Sequence, residues 1–196
     1  MSTPRRKTGP LAPNPELWAA LNEGEILRAA LEDFYTTVLA DERLAHFFEG
    51  VTKPHIIGKQ FNFLRDVLAG SRDYFGFRPR NAHNWMVISD ELFDYREGLL
   101  SDALRRQGVD EKWVEHIRGI SEVFRKQIVK DKPFPRRFQG IVQPAEGYGK
   151  FTIDDGAACD GCEGILDPGT EIIYHLRTGK IYCDDCQTDE MQALSA

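Results

Sequence analysis

Residues 26–38, ILRAALEDFYTTV, are the stretch of sequence that decides the fold. Their apolar positions Leu27, Leu31, Phe34 and Val38 are spaced by four, three and four residues, and no glycine or proline lies between them. Side chains at this spacing lie on one face of an α-helix. The stretch therefore predicts an α-helix.

Three further helices are predicted on the C-terminal side of this stretch. One begins near Pro54, because the first turn of a helix tolerates a residue without an N–H group. Another follows Ser89, a typical N-cap residue, and ends before a glycine. The last follows Asp110 and keeps the helical spacing of apolar residues as far as Ile128. The segment 18–130 is therefore predicted to be all-α.

The composition fits one main domain with a small additional module. The chain has 196 residues, of which 41% are hydrophobic and 29% charged. This is enough for one core of about 130 residues and a small remainder. No apolar run reaches the roughly 18 residues needed to cross a bilayer, and no hydrophobic stretch follows the basic residues near the N-terminus. We therefore expect no signal peptide and no membrane span.

Charge is distributed unevenly along the chain, whose net charge is −6. Residues 151–196 contain ten acidic and two basic side chains, whereas residues 1–150 contain 21 acidic and 23 basic ones. An acidic segment repels the phosphates of nucleic acids. Nucleic acid is therefore not an expected partner.

The pattern of residue types divides the chain into four segments. Residues 1–17 contain several prolines among polar neighbours and are predicted to be a flexible arm. Residues 18–130 form the helical domain. Residues 131–150 mix proline, glycine and charge, which is typical of a linker. Residues 151–196 form a separate small module.

Short elements are predicted within residues 151–196. Two short apolar runs flank Thr178 and Gly179, which predicts a β-hairpin. Residues 184–194 can form one short helix. Because the segment has few apolar side chains, it would scarcely fold without a metal to close it.

All four cysteines of the chain lie in this module, as two C-x-x-C pairs with twenty residues between them. The spacing is typical of a tetrahedral tetrathiolate site formed by Cys159, Cys162, Cys183 and Cys186. Zinc is the expected metal, in a module of the zinc-ribbon or treble-clef type. A rubredoxin-like iron site, which uses the same four sulfur ligands, is the alternative. Cysteines kept for a metal also favour a reducing, cytoplasmic setting.

The helical segment contains several short motifs: DFY at 33–35, VLAD at 38–41, FFEG at 47–50, GKQ at 58–60, AG at 69–70 and AH at 82–83. In this order and at these spacings, they resemble the truncated haemoglobins of group I over roughly residues 20–130. The resemblance implies an all-α, globin-like domain with two helices packed over two, holding haem b.

The resemblance also implies roles for individual residues. His83 matches the proximal ligand of the haem iron, and Phe48 matches the aromatic residue at the haem edge. Tyr35 and Gln60 match the distal hydrogen-bonding pair, and Ile56 matches the apolar distal position. The chemistry agrees, because a neutral imidazole binds ferrous iron, and a hydroxyl and an amide can donate hydrogen bonds to dioxygen on that iron.

Further side chains are expected to complete the haem pocket. Three of them are candidates for its apolar walls: Phe63, Leu64 and Trp85. Lys59 can pair with a haem propionate at the pocket mouth, with Arg78 and Arg80 as competing candidates. His55 would take the distal position if the phase of its helix were shifted by one residue.

The sequence thus predicts a haem protein that binds a diatomic gas, O2 or NO, at a five-coordinate iron, with the zinc module docking a protein partner. One alternative is a haem-dependent redox enzyme, such as an NO dioxygenase or a peroxidase-like enzyme. It would need an external reductase as partner, because the chain has no G-x-G-x-x-G dinucleotide fingerprint and no flavin domain. The other alternative is a globin scaffold that acts as a sensor or signalling module.

Overall fold

The computed structural model describes residues 9–71, 74, 76–138, 141–143, 147–189 and 191. The chain divides into two compact units, Met1–Asp131 and Lys132–Ala196. In the parts that the structure describes, the first unit is helical and the second consists mainly of short antiparallel strands.

The first unit contains seven α-helices in its described part: α1 Pro15–Ala20, α2 Glu25–Ala40, α3 Lys53–Leu68, α4 Pro79–Ala82, α5 Asp90–Arg106, α6 Glu111–Glu122 and α7 Arg125–Ile128. Short 3₁₀ helices lie at Gly9–Leu11, Asn22–Gly24 and Ala45–Phe48. The helix predicted from residues 26–38 is α2, and those predicted near Pro54, after Ser89 and after Asp110 are α3, α5 and α6.

The last predicted helix is broken where the sequence suggested a continuous one. Between α6 and α7, Val123 and Phe124 form a turn. The ring of Phe124 packs edge-on against that of Phe63, with 5.8 Å between the centroids. The break thus coincides with an aromatic contact to a different helix, which the local spacing of apolar residues does not encode.

The core of the first unit is centred on α2, which packs against both α3 and α5. The four apolar residues that define the sequence pattern of α2 are at most 1% exposed. Just before α2, Gly24 has a φ of 95°. A Cβ atom there would lie 2.5 Å from the Trp18 ring and 2.9 Å from the Phe61 ring. The close approach of these aromatic residues therefore requires glycine.

The second unit contains three small antiparallel sheets in its described part. Their strands are β1 Arg136–Phe138, β2 Ile141–Gln143, β3 Tyr148–Thr152, β4 Ala157–Ala158, β5 Ile165–Leu166, β6 Glu171–His175 and β7 Ile181–Tyr182. One sheet pairs β1 with β2, one pairs β4 with β5, and one has the order β3-β6-β7. The predicted hairpin at Thr178 and Gly179 is the turn between β6 and β7.

The short-helix part of the predicted module differs from the structure. Residues 184–186 form a 3₁₀ turn, and Gln187 after it has extended backbone, with φ −77° and ψ 133°. Helical residues follow at 189 and 191, and residues 190 and 192–194 lie outside the described residues. A single helix over 184–194 is therefore not formed.

The domain boundaries drawn from the sequence stay predictions, although regular elements cross two of them. Residues 1–8 of the predicted arm lie outside the described residues, but α1 begins at Pro15 and Leu17 is fully buried. The predicted linker contains β1, β2 and the start of β3. None of the described helices is long and apolar enough to cross a bilayer.

Candidate functional site

A cavity opens inside the helical unit, with a volume of about 240 Å³. Its walls are mainly apolar and come from α2, α3, α5 and the segments around α4, α6 and α7. Seven of the predicted site residues line it: Tyr35, Phe48, Ile56, Lys59, Gln60, Phe63 and His83. Side chains that are far apart in sequence are thus brought to one cavity.

His83 is the C-cap residue of the short helix α4. Its Nδ1 atom lies 2.8 Å from the carbonyl oxygen of Pro79. Because a carbonyl oxygen can only accept, Nδ1 carries the proton and Nε2 keeps its lone pair. Burial lowers the pKa of His83 to about 4, so the ring is neutral near pH 7. This is the form of imidazole that binds a metal.

Lys130 holds the main chain at this histidine. Its Nζ atom donates hydrogen bonds to the carbonyl oxygens of His83, at 2.6 Å, and of Ile128, at 3.1 Å. The backbone of Lys130 also pairs with that of Ile88. The segment after α7 thus fixes the position of His83 from its carbonyl side.

Tyr35 on α2 and Gln60 on α3 meet at the cavity. The Tyr35 hydroxyl donates a hydrogen bond of 2.6 Å to Oε1 of Gln60. Tyr35 is 3% exposed, and burial raises the pKa of its hydroxyl although the charge of Arg96 opposes this effect. The phenol therefore stays protonated and acts as a donor. The ring of Phe48 stands edge-on to that of Tyr35, with 5.8 Å between the centroids.

Arg96 and Glu97 on α5 also line the cavity, and neither was predicted as a site residue. Nη2 of Arg96 donates a hydrogen bond of 2.9 Å to Oε1 of Gln60, and Nη1 pairs with Oε1 of Glu97. The position of Glu97 carries a signal in the sequence. It lies four residues after Phe93 and three before Leu100, which are both buried, and therefore on the apolar face of the helix.

Two predicted wall residues do not line the cavity. Leu64 is buried in the core between the helices. Since successive residues of a helix differ in direction by about 100°, Phe63 faces the cavity while Leu64 faces the core. The ring of Trp85 packs against that of Phe47 instead, with 5.8 Å between the centroids.

The positions of the basic side chains distinguish between the candidates for pairing with a haem propionate. Lys59 is exposed and lines the cavity, as expected of a residue at its mouth. Arg78 and Arg80 do not line it. His55 is exposed and also lies outside the cavity wall, so the phase of α3 does not favour it as a distal residue.

The cavity fits the prosthetic group that the sequence motifs imply. Haem needs apolar walls, a neutral imidazole with an available lone pair, and a cation for its carboxylates. The lining provides each of these, through its aromatic and aliphatic side chains, Nε2 of His83 and the ammonium group of Lys59. The donor set at the cavity is therefore suited to haem.

In the second unit, the four cysteines form a cluster. Their Sγ atoms all lie within 4.8 Å of one another, and those of Cys162 and Cys183 are 3.8 Å apart. Four sulfurs around a tetrahedral metal with bonds of about 2.3 Å lie roughly 3.8 Å from each other. Burial raises the pKa of Cys159, but backbone N–H groups, including those of Cys183 and Gly161, outweigh it and lower the pKa to about 6.

The strands position these cysteines as two turns that face each other. Cys159 and Cys162 lie between β4 and β5, and Cys183 follows β7 directly. The N–H group of Asp160 donates to the carbonyl oxygen of Ile181, and the N–H group of Ile181 donates to Oδ2 of Asp160, both at 2.8 Å. This reciprocal pair joins the first turn to β7. The four cysteines are thus arranged so that they could bind a metal.

Comparison with known proteins places the helical unit in a family. The family model for bacterial-like globins matches residues 17–130. The group 1 truncated haemoglobin of Mycolicibacterium paratuberculosis is 37% identical over 95 residues, which cover 48% of this chain and 70% of that protein. The one from Tetrahymena pyriformis is 30% identical over 113 residues, which cover 58% of this chain and 93% of that protein.

Solved structures give the same result. The truncated haemoglobin of Tetrahymena pyriformis in its Fe(III) form matches with a TM-score of 0.54 and 30% identity, over 59% of this chain and 98% of that one. The 2/2 haemoglobin of Synechococcus sp. PCC 7002, solved in the cyanomet state with covalently attached haem, matches with a TM-score of 0.53 and 25% identity, over 58% and 97%. The chain therefore belongs to the bacterial-like globins and, among them, to the group 1 truncated haemoglobins.

Proposed function

We propose that the helical unit binds haem b through Nε2 of His83 and holds a diatomic gas, O2 or NO. The observation that carries this proposal is the hydrogen bond from Nδ1 of His83 to Pro79, which leaves Nε2 with its lone pair on a residue that lines the cavity. Haem would supply an iron with one open coordination position, at which such gases bind.

Other residues at the cavity would then hold the haem and the bound gas. Lys59 would pair with a propionate at the cavity mouth, and the apolar walls would limit the entry of water. The NH2 group of Gln60 would donate a hydrogen bond to a gas that gains negative charge on binding, and Tyr35, which donates to Oε1 of the same amide, would hold that group in place. Their contact across α2 and α3 keeps both groups at the same point of the cavity.

Reconstitution with haemin tests the proposal. The haem-free protein and its His83→Ala and His55→Ala variants are titrated with haemin and followed by the Soret absorption. The wild type and His55→Ala are expected to bind one equivalent with the same spectrum, because His55 lies outside the cavity wall. His83→Ala is expected to lose the five-coordinate histidine spectrum, and added imidazole to restore it. An unchanged His83→Ala spectrum would contradict the assignment.

A haem-dependent oxidoreductase, such as an NO dioxygenase or a peroxidase-like enzyme, is the second proposal for the same cavity. It is favoured by the charged pair of Arg96 and Glu97, since charged groups in a cavity are more typical of chemistry than of storage. Electrons would come from an external reductase. Mixing the oxygenated protein with NO tests it, and a slow, incomplete loss of the oxygenated spectrum would contradict it.

For the second unit, we propose that Cys159, Cys162, Cys183 and Cys186 bind zinc, with iron as the alternative. The compact arrangement of their four Sγ atoms supports a single tetrahedral metal. Metal analysis of the haem-free protein, together with its visible absorption for ferric thiolate, distinguishes the two metals. A protein with neither metal, whose four thiols react freely, would contradict the site. Docking of a protein partner by this module, and a cytoplasmic location, stay predictions.

A further inference from the structure

Arg96 occupies an unusual place for a cation, in a cavity with mainly apolar walls. Its side chain is 23% exposed, and its guanidinium carbon lies 4.6 Å from the centre of the Phe34 ring. A charge in such surroundings interacts more strongly with a nearby ligand than it would in water. The guanidinium has five N–H groups. It donates to Gln60 and Glu97 and also interacts with the hydroxyl of Tyr35.

Arg96 also fixes the orientation of the Gln60 amide. Oε1 of Gln60 accepts from both Nη2 of Arg96 and the hydroxyl of Tyr35. Since arginine can only donate, the amide atom that faces it must be the carbonyl oxygen. The NH2 group of Gln60 is therefore the end of the amide that remains to donate to a ligand.

Glu97 is the counter-ion of Arg96, and it has a partly unsatisfied carboxylate. The residue is 2% exposed, and its Oε1 atom pairs with Arg96. Its Oε2 atom is buried and has no hydrogen-bond partner among the described residues. A buried carboxylate with an unpaired oxygen is uncommon in folded proteins, and because that oxygen can only accept a hydrogen bond, it repels an anion in the cavity. The negative charge of Glu97 also shields the positive charge that Arg96 presents to the cavity.

We propose that Arg96 makes this cavity selective for small anions whose nitrogen or oxygen atoms accept hydrogen bonds, such as azide and nitrite, and that Glu97 limits this selectivity. The inference rests on the proposed haem function, because the anion would bind at the iron. Arg96 attracts the anion directly and, through Gln60, turns an amide donor towards it. Carbon monoxide, which is neutral and a poor acceptor, gains little from either effect.

Three variants test the inference in the full-length ferric protein. Arg96→Met removes the charge and the donors but keeps a long side chain. Glu97→Gln removes the shielding charge at nearly constant volume. Arg106→Met is the matched control, since Arg106 lies on the same helix and pairs with Asp33 of α2 at 2.7 Å, on the exposed surface. Azide and nitrite affinities are measured from the Soret shift, and the affinity of the ferrous form for carbon monoxide is measured alongside.

Arg96→Met and Glu97→Gln are expected to change the affinity for anions in opposite directions. Arg96→Met should weaken azide and nitrite binding by about ten- to a hundredfold, as expected for a charge-assisted hydrogen bond. Glu97→Gln should strengthen binding, because the guanidinium loses its counter-ion, and Arg106→Met should leave it unchanged. The C–O stretching frequency of the ferrous carbon monoxide complex should rise in Arg96→Met and fall in Glu97→Gln, because it reports the local field rather than stability.

The outcomes separate this inference from the haem proposal. If the wild type takes up no haem, the proposed function fails before Arg96 is tested. The inference is wrong if all variants keep the wild-type Soret band but azide affinity does not change. It is also wrong if azide affinity changes in the same direction in Arg96→Met and Glu97→Gln. An equal loss of azide and carbon monoxide affinity in Arg96→Met would show a structural role and would also overturn it. If Arg96→Met does not fold, the sign of the Glu97→Gln effect decides alone.

Discussion

The hydroxyl of Tyr35 and the amide of Gln60 form a single unit, because one donates to the other at 2.6 Å. We predict that Tyr35→Phe and Gln60→Leu each raise the dissociation rate of dioxygen from the ferrous protein by about tenfold, the worth of one hydrogen bond. The double variant should change the rate by less than the product of the two effects, since groups in contact are not additive. Stopped-flow displacement of dioxygen by carbon monoxide measures these rates.

Tyr95→Phe is the control for this prediction. The Tyr95→Phe variant also loses a hydrogen bond from a tyrosine hydroxyl, the one to Asp41. Tyr95, however, does not line the cavity. Its dissociation rate should equal that of the wild type. Rates that multiply independently in the double variant would contradict the idea that the two distal groups act together.

At this scale, the sequence predicted the aromatic, amide and imidazole residues that line the cavity, but not the charged pair. Tyr35, Gln60 and His83 carry recognisable chemistry in a recognisable order. Arg96 and Glu97 look like part of the solvent-exposed face of a helix, because charged residues are rarely buried. Only the helical spacing of Glu97 from Phe93 and Leu100 indicated that its side chain lies on the buried face.

Among the elements, α5 has an N-cap that can be tested in isolation. The Oγ atom of Ser89 accepts a hydrogen bond of 3.1 Å from the N–H group of Leu92. Thr52 precedes α3 in the same position, but its side chain makes no capping hydrogen bond. We predict that Ser89→Ala lowers the free energy of unfolding by about 1 kcal/mol, and that Thr52→Ala lowers it by less than half as much. Urea denaturation followed by circular dichroism measures both, and equal losses would contradict the capping argument.

The turn that carries Cys159 and Cys162 depends on a glycine between them. A Cβ atom at Gly161 would lie 2.9 Å from Sγ of Cys186, too close for an ordinary contact, whereas one at Gly156 would meet its nearest atom at 3.7 Å. We predict that Gly161→Ala weakens zinc binding by about tenfold, as disturbance next to metal ligands does, and that Gly156→Ala does not. Competition with a chromogenic chelator measures the affinity. Equal affinities would show that the turn can relax around the added methyl group.

The helices were predictable because their signal is local. The spacing of Leu27, Leu31, Phe34 and Val38 reports which face is buried, without reference to other elements. Strands do not share this advantage. Strand β3 pairs with β6, with Tyr148 opposite His175, and nothing within residues 148–152 specifies a partner so far along the chain. The segment predicted to be a linker therefore contains β1, β2 and the start of β3.

For the whole molecule, the two units differ in how their cores are filled. The helical unit has a large apolar core made by α2, α3, α5 and α6. Among the described residues of the second unit, one cluster of buried side chains consists of Ile153, Cys159, Leu166 and Ile172, so that one of these four is itself a candidate metal ligand. A core this small contributes too little hydrophobic stabilisation to fold a segment of this length. The metal is therefore expected to supply much of the folding free energy of the second unit.

Removal of the metal from the full-length protein tests this expectation. We predict that chelation makes residues 147–189 sensitive to limited proteolysis, while the helical unit keeps its haem spectrum and its own unfolding transition, because its core contains no cysteine. Returning zinc should restore protection, and a Cys159→Ser/Cys183→Ser double variant should stay unprotected with or without zinc. Mass spectrometry of the fragments identifies the cleaved segment. Protection that survives complete removal of the metal would mean that the strands and the small apolar core are sufficient on their own, and the four cysteines would then need a role other than folding.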